Sequence, residues 1–236
     1  MKLLTDLHIH TIASGHAYSS VTEIVQRANQ LNLEAIAITD HGPGLPDGPH
    51  IYHFENQRRF FNIPGKCLVL SGVEEDLAGP NGEVFLPENV LNFLEIVLVG
   101  FHPYPNCWVK INSKRAVIKS LLKAMEKPYI KGVTHPVNDW FDLSSDEIKQ
   151  IVKNALPTST AVELNLSKTI GLEDKLFEFL DLVGEYNAPL MINSDAHILH
   201  EVGDFKVLDK FIHKIVPENV VNKNYNSVKS FFGINR

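Results

Sequence analysis

The chain has 236 residues, 44% of them hydrophobic, enough to bury a full core as one large α/β barrel or two small domains. Its net charge of −6, with 11 histidines, offers no broad basic surface to duplex nucleic acid or an anionic membrane. The two cysteines, Cys67 and Cys107, are too few for a disulfide framework and form no C-x-x-C motif, so a reducing cytoplasm is the expected home.

From Leu3 to His10, polar residues recur at every second position from Asp6 onward, which predicts a strand with Asp6, His8 and His10 on one face. Neighbours on that face are separated by roughly 6 to 7 Å, a spacing at which two imidazoles can grip one divalent ion while Asp6 orients a ring behind them. Asp6 and His8 also interrupt the apolar start, so no signal-peptide core is expected, and no later apolar run approaches membrane-spanning length. Ser20-Val21-Thr22-Glu23 is a capping box for a helix reaching about Leu31. A strand from Glu34 to Thr39 ends in Asp40-His41-Gly42-Pro43. A helix through Phe54 to Phe61 then leads to a buried strand, Leu68 to Val73, that ends in Glu74.

Gly79-Pro80-Asn81-Gly82 predicts a small hairpin between Asp76 and Leu86. The fourth strand, Ile96 to Val99, runs into Gly100-Phe101-His102-Pro103, and Ser113 caps a helix reaching Met125. Tyr129 to Val133 reads as strand five, closing in Thr134-His135-Pro136, and Ser144 to Glu147 is a second capping box for a helix to about Asn154. Strand six, Ala161 to Leu166, puts Glu163 and Asn165 on one face. After a helix from Glu173 to Tyr186, strand seven, Pro189 to Ile192, finishes in Asn193-Ser194-Asp195-Ala196-His197. Phe205 to Arg236 is expected to be mainly helical.

No linker, low-complexity tract or charge block interrupts these units, so residues 1–236 are expected to form one domain. About seven strand-then-helix units predict a parallel α/β barrel with right-handed crossovers. In such barrels the reactive groups project from the carboxyl ends of the strands. His8, His10, His41, Glu74, His102, His135, Asp195 and His197 all stand at or just past a predicted strand end, an order that scattered core histidines would not adopt.

These residues resemble the PHP superfamily, the polymerase and histidinol phosphatase fold, and within it the small stand-alone YcdX-type phosphatases. Asp6 to Thr11 is similar to the first motif, His16-Ala17-Tyr18-Ser19 to the loop histidine after it, and Thr39 to Gly42 to the second motif. Gly72-Val73-Glu74 resembles the bridging-carboxylate motif, Gly100-Phe101-His102 and Thr134-His135-Pro136 the third and fourth, and Ser194 to His197 the last. The resemblance implies a distorted seven-unit β/α (TIM-like) barrel with a trinuclear site of three divalent ions, zinc foremost, with manganese or iron as alternatives. One ion would take His8, His10, Glu74 and Asp195, a second Glu74, His102 and His135, and a third His16, His41 and His197. Pro103 and Val137 depart from the Glu and Gly usual beside those histidines, which changes the rim of the mouth.

The chemistry implied is hydrolysis of small phosphomonoesters, in which cations neutralise phosphoryl oxygens and lower the pKa of bound water. Glu74 suits the bridging role because a carboxylate offers one oxygen to each of two cations. Glu74 and Asp195 are thus the central acidic residues, and Arg58 is the candidate phosphate clamp, since a guanidinium fork matches phosphate oxygens. Adjacent Arg59 diverges by about 100 degrees on a helix, so only one of the pair can face the mouth. His50 and His53 match family positions and are candidate substrate contacts. Asp40 is expected to orient a ring, pointing to the side of the strand opposite His41. Glu163 and Asn165 either hold a ligand or water or form a hydrogen-bonded polar pair inside the barrel.

Two rival enzyme readings and one non-enzymatic reading share these residues. Amidohydrolase barrels also open with His-x-His but typically require a bridging Lys late in strand four, where this chain has none. A polymer-end exonuclease or nucleotide phosphoesterase keeps the fold, against an acidic balance and no appended domain. A metal-binding regulatory module would need saturated coordination, whereas nine ligands on three ions leave positions open. The expected partner is a small phosphorylated substrate, with neither duplex nucleic acid nor membrane, and a homo-oligomer is compatible with the sequence.

Overall fold

Alternation along β2 (Ala35–Ile38) separates two apolar surfaces. Ala35 and Ala37 cluster with Leu7, Leu70, Leu98 and Met191 inside a barrel, where small residues leave room for the opposite wall. Ile36 and Ile38 face outward and pack on Ile24, Val25 and Ala28 of α1 (Val21–Gln30). The computed structural model describes residues 1–235. Its strands β1 (Thr5–Ile9), β2, β3 (Leu68–Asp76), β4 (Ile96–Gly100), β5 (Gly132–Val133), β6 (Ala161–Asn165) and β7 (Leu190–Asn193) lie in chain order, each parallel to the next. The remaining helices are α2 (Ile51–Asn56), α3 (Glu88–Leu91), α4 (Trp108–Ile111), α5 (Lys114–Met125), α6 (Ser145–Thr158), α7 (Glu173–Glu185) and α8 (Tyr225–Phe232).

The architecture is the expected α/β, TIM-like barrel of seven units, and its distortion lies at the seam between β7 and β1. At the upper end Ile9 bridges directly to Ala196, and Leu7 N–H donates to Asn193 Oδ1 at 2.9 Å in place of a ladder bond. At the lower end residues 220–223 fill the gap, with Val221 N–H donating to Leu190 and Leu4 N–H to Lys223, each at 2.8 Å. Below them, Val228 and Phe232 of α8 join the interior cluster and stop the bottom of the barrel. Both predicted capping boxes form, at Ser20–Glu23 and Ser144–Glu147, and Ser113 caps α5.

Several elements differ from the sequence reading. β3 runs on through Asp76, so Glu74 lies within the strand and not at its end. No hairpin follows it: Glu83 gathers Asn81 and Ala78, and Gly82, at φ +74, packs so closely on α5 that a Cβ would fall 2.4 Å from Ala124 N. β5 shortens to Gly132–Val133 because Ile130 N–H is spent on a turn to Lys127 O at 3.0 Å. The helix through Phe54 to Phe61 splits into α2 and a 3-10 helix, Gln57–Asn62. Past β7 the chain forms short 3-10 turns, and among the described residues only α8 is α-helical there. No helix among the described residues is long and apolar enough to cross a membrane.

Candidate active site

The register of β1 against β2 shifts between Asp6 and Ile9. Such a shift changes which side chains face inward, so Leu7 joins the barrel interior and His8, the next residue, also reaches the lumen. Asp6 is thereby turned away from the imidazoles: its carboxylate accepts from Ser194 Oγ at 2.5 Å, Ser194 N at 3.2 Å and Gly203 N at 3.0 Å. Burial outweighs these bonds and pushes its pKa up to about 6. The expectation that Asp6 orients a metal-facing ring is corrected. Glu163 does so instead, with Oε1 at 2.8 Å from His8 Nδ1.

That bond is one of a set. Nδ1 of His102 lies 3.1 Å from both oxygens of Asp76, Nδ1 of His197 lies 2.9 Å from the Asp195 carbonyl, and Nδ1 of His10 lies 3.3 Å from Ser14 Oγ. Nδ1 of His16 pairs with Asp47. Five imidazoles are therefore held by one nitrogen, which leaves Nε2 free to ligate, the arrangement by which outer groups orient metal-binding histidines. Glu163 and Asn165 act mainly as the polar pair: Glu163 also accepts from His135 N at 2.8 Å, Asn193 Nδ2 at 2.9 Å and Asn165 Nδ2 at 3.1 Å. The His135 bond pins a residue at φ +27, and Asp195 sits at φ +53, so two candidate ligands occupy the left-handed region that side chains avoid.

Deep in the lumen His8 Nε2 and His10 Nε2 lie 3.1 Å apart, Glu74 Oε2 lies 3.3 and 3.5 Å from them, and Asp195 Oδ1 lies 3.5 and 3.2 Å away. Ligands at about 2.0 to 2.1 Å from a tetrahedral ion are separated by about 3.3 to 3.4 Å, so His8, His10 and Glu74 stand at the spacing of one cation, with Asp195 Oδ1 at a similar distance from both imidazoles. Glu74 turns its other oxygen to His135 Nε2 at 2.8 Å and His102 Nε2 at 4.0 Å, which gives it the reach of a bridging carboxylate. Glu74 Oε2 and His41 Nδ1 lie 3.1 Å apart, yet both are buried without a hydrogen bond, and His135 Nδ1 is likewise unpartnered. An imidazole nitrogen and a carboxylate oxygen buried side by side without a hydrogen bond fit a cation better than they fit each other.

Charge in this cluster is strained in the same sense. Burial opposes ionisation of Glu74, but His8, His102 and His135 hold its pKa well below the carboxylate range. Burial also opposes charge on His8, yet Glu163, Glu74 and Asp195 keep its pKa well above the imidazole value. Burial and the neighbouring His41 drive His10 down to about 3, while Asp76 and Glu74 overcome burial to lift His102 to about 9. Imidazole and carboxylate donors of this mixture suit zinc, manganese or iron.

The outer histidines group differently from the trio His16, His41 and His197. His41 gathers with His10 and His197 on one side, and with His16 and Asp47 on the other. Asp47 was missed in the sequence because nothing local marks it; Gly15 admits it, since a Cβ there would fall 2.9 Å from Asp47 Cβ. Asp76 was legible in principle, two residues past Glu74 on the same strand face. The mouth above these groups is a cavity of about 210 Å³, rimmed by Leu45, Pro103 and Trp140, with Lys168 at its edge.

Arg58 is not brought to this cavity. It is exposed in the 3-10 helix after α2, its Nε donates to Glu55 O at 3.0 Å, and with Arg59 it borders a separate surface hollow. The phosphate-clamp expectation for Arg58 is corrected: both arginines are exposed on a surface away from the mouth cavity, and Arg58 is held there by Glu55 O. His50 is the cap of α2, and His53 Nε2 lies 2.9 Å from Asp40 Oδ2, so neither lines the cavity. Asp40 also accepts from Thr11 N at 2.7 Å and Ser14 Oγ at 2.8 Å, and so braces the loop that bears His16 and, through Ser14, the ring of His10.

A parallel β/α barrel with imidazoles and carboxylates gathered at its carboxyl end defines a candidate metallohydrolase. The family model of the PHP domain matches residues 6–194, and the chain belongs to that family. A probable phosphatase of Syntrophotalea carbinolica is 34% identical, the match covering 100% of this chain and 98% of the relative. Histidinol phosphate phosphatase of Lactococcus lactis, solved with zinc, L-histidinol and phosphate, shares the fold at TM-score 0.56 and 16% identity, covering 89% of this chain and 94% of that one. A chain in the structure of archaeal ribonuclease P with mature tRNA matches at TM-score 0.60 and 15% identity, over 96% of this chain and 90% of that one. One fold thus occurs in different functional settings, and function has to be argued from the site.

Proposed function

We propose that the chain hydrolyses small phosphomonoesters with the help of three divalent cations, zinc first among them. That it is a hydrolase of phosphoric esters follows from its family and its phosphatase relatives; the number of ions and the class of ester are the proposal. The observation that carries it is the close approach of His8, His10 and Glu74, with Asp195 beside both imidazoles and Glu74 reaching on to His102 and His135. The third ion is assigned to the outer groups around His41, which gathers with His16 and Asp47 on one side and with His10 and His197 on the other. Bound cations would neutralise phosphoryl oxygens and acidify a water molecule near neutral pH.

The protein's own part is positional. Glu163 and Asp76 fix the rings of His8 and His102, and Asn165 ties Glu163 to Asp195 at 3.1 Å on each side. A cavity of about 210 Å³ has room for a phosphoryl group with a small leaving group. Two buried, unpaired cysteines accord with a reducing cytoplasm. The test is turnover of a chromogenic phosphomonoester by protein loaded with zinc or manganese. Activity that disappears on chelation and returns with metal supports the reading, and a metal-loaded protein inert towards a panel of small phosphomonoesters overturns it.

A further inference from the structure

Among the described residues, Lys168 is the single lysine or arginine lining the mouth cavity. It stands just past β6, and the deep cluster fixes its place. Ser167 donates to Asn165 Oδ1 from N at 3.0 Å and from Oγ at 2.8 Å, and Asn165 is itself tied to Glu163 and Asp195. The next side chain is thereby delivered over the cavity. Its ammonium lies 5.5 Å from the ring centroid of Trp140, which in turn stacks on His102 at 20°. A cation held on an aromatic face loses little further freedom on meeting an anion.

Asp195 is divided between two tasks. Oδ1 faces His8 and His10, while Oδ2 already accepts from Asn165 Nδ2 at 3.1 Å and lies 3.1 Å from Ser167 Oγ, whose shorter bond is to Asn165. Lys168 Nζ stands 3.6 Å from Oδ2, beyond hydrogen-bond length, and no hydrogen bond engages it among the described residues. Its side chain is 31% exposed, and its ammonium, paired with Asp195 by charge alone, keeps its hydrogen-bond donors free at the mouth of the cavity.

We propose that Lys168 grips the substrate's phosphoryl oxygens from the rim beside Asp195, with the Trp140 ring as the platform for its ammonium. This rests on the phosphatase reading and names the residue that recognises the phosphate. A lysine suits the place: it is a compact charge on a flexible stem, able to follow a phosphoryl group without the fixed fork of an arginine.

The experiment uses metal-loaded protein, with inorganic phosphate as the probe, measured by calorimetry and as a competitive inhibitor of p-nitrophenyl phosphate turnover. Lys168→Met should weaken phosphate binding and lower kcat/KM, mostly through KM, by about 10- to 100-fold, with metal content unchanged. Lys168→Arg should recover most of that loss. Phosphate affinity unaltered in Lys168→Met overturns the proposal. So does a loss of metal in that variant with normal phosphate binding per loaded site, which would make Lys168 a support for Asp195. If the wild-type protein turns over no phosphomonoester but binds phosphate through Lys168, the grip stands and the hydrolase reading falls.

Discussion

The deep and outer halves of the site are built on different terms. His8, His10, Glu74, His135 and Asp195 have side chains no more than 4% exposed, and Glu163, Asn165 and Asn193 brace the cluster from β6 and β7. His16 lies on a loop with its side chain 54% exposed, and its brace, Asp47, comes from another loop and is 29% exposed. A ligand held on both sides by buried strands has its geometry fixed before metal arrives, whereas loop ligands must be ordered at some entropic cost. The deep half should therefore hold its ions tightly and the outer half should exchange its ion.

Substitutions can break this contrast at different depths. Glu74→Gln keeps the shape but removes the charge shared between two ions, so metal content and turnover should fall together, turnover by about a hundredfold or more. Normal stoichiometry with normal activity would remove Glu74 from the site. Glu163→Gln, which leaves the ligands in place but loosens His8 and the His135 backbone, should cost about 10- to 100-fold in metal affinity, read by competition with a chelating dye. An unchanged affinity would show that the deep half does not depend on its bracing.

Asp47→Asn probes the outer half alone. It should release one ion per chain at limiting metal, with the deep ions retained and turnover restored by excess metal, and loss of all ions at once would erase the distinction between the halves.

The smallest effect concerns the far side of β3. Glu75, beside Glu74 in sequence, is turned to the N–H groups of Phe85 and Leu86 at 3.2 and 2.8 Å, and burial raises its pKa to about 8. A raised folded-state pKa means that the folded chain binds the proton more tightly, so stability is full below about pH 4.5 and falls as pH rises towards 8. Glu75→Gln should abolish that fall and gain at least about 1 kcal/mol at pH 9 relative to pH 5, measured by denaturant unfolding of the metal-free protein. Parallel pH profiles for variant and wild type would contradict it.

His41, His102 and His135 were legible because each stands where a strand pattern gives way to Gly or Pro, His8 and His10 because they alternate along the first strand, and the barrel because strand and helix periods alternate along the chain. What failed depended on backbone detail that side-chain alternation does not encode. A register shift in β1 puts Leu7 and His8 on the same side and takes Asp6 out of the site. Arg58 faces a surface hollow apart from the mouth, a direction that neighbouring residue types do not signal. Asp47, Trp140 and Lys168 act across loops distant in sequence, although Lys168 obeys the strand-end rule and could have been read from it.

The central claim is that the deep donors hold catalytic metal, and it is tested most directly by measuring ions per chain and phosphomonoester turnover on the same preparation through chelation and reconstitution. Two to three first-row ions per chain are predicted, with turnover lost as the deep ions leave and regained with zinc or manganese. A fully folded, metal-free chain that hydrolysed the ester at an undiminished rate would contradict the account.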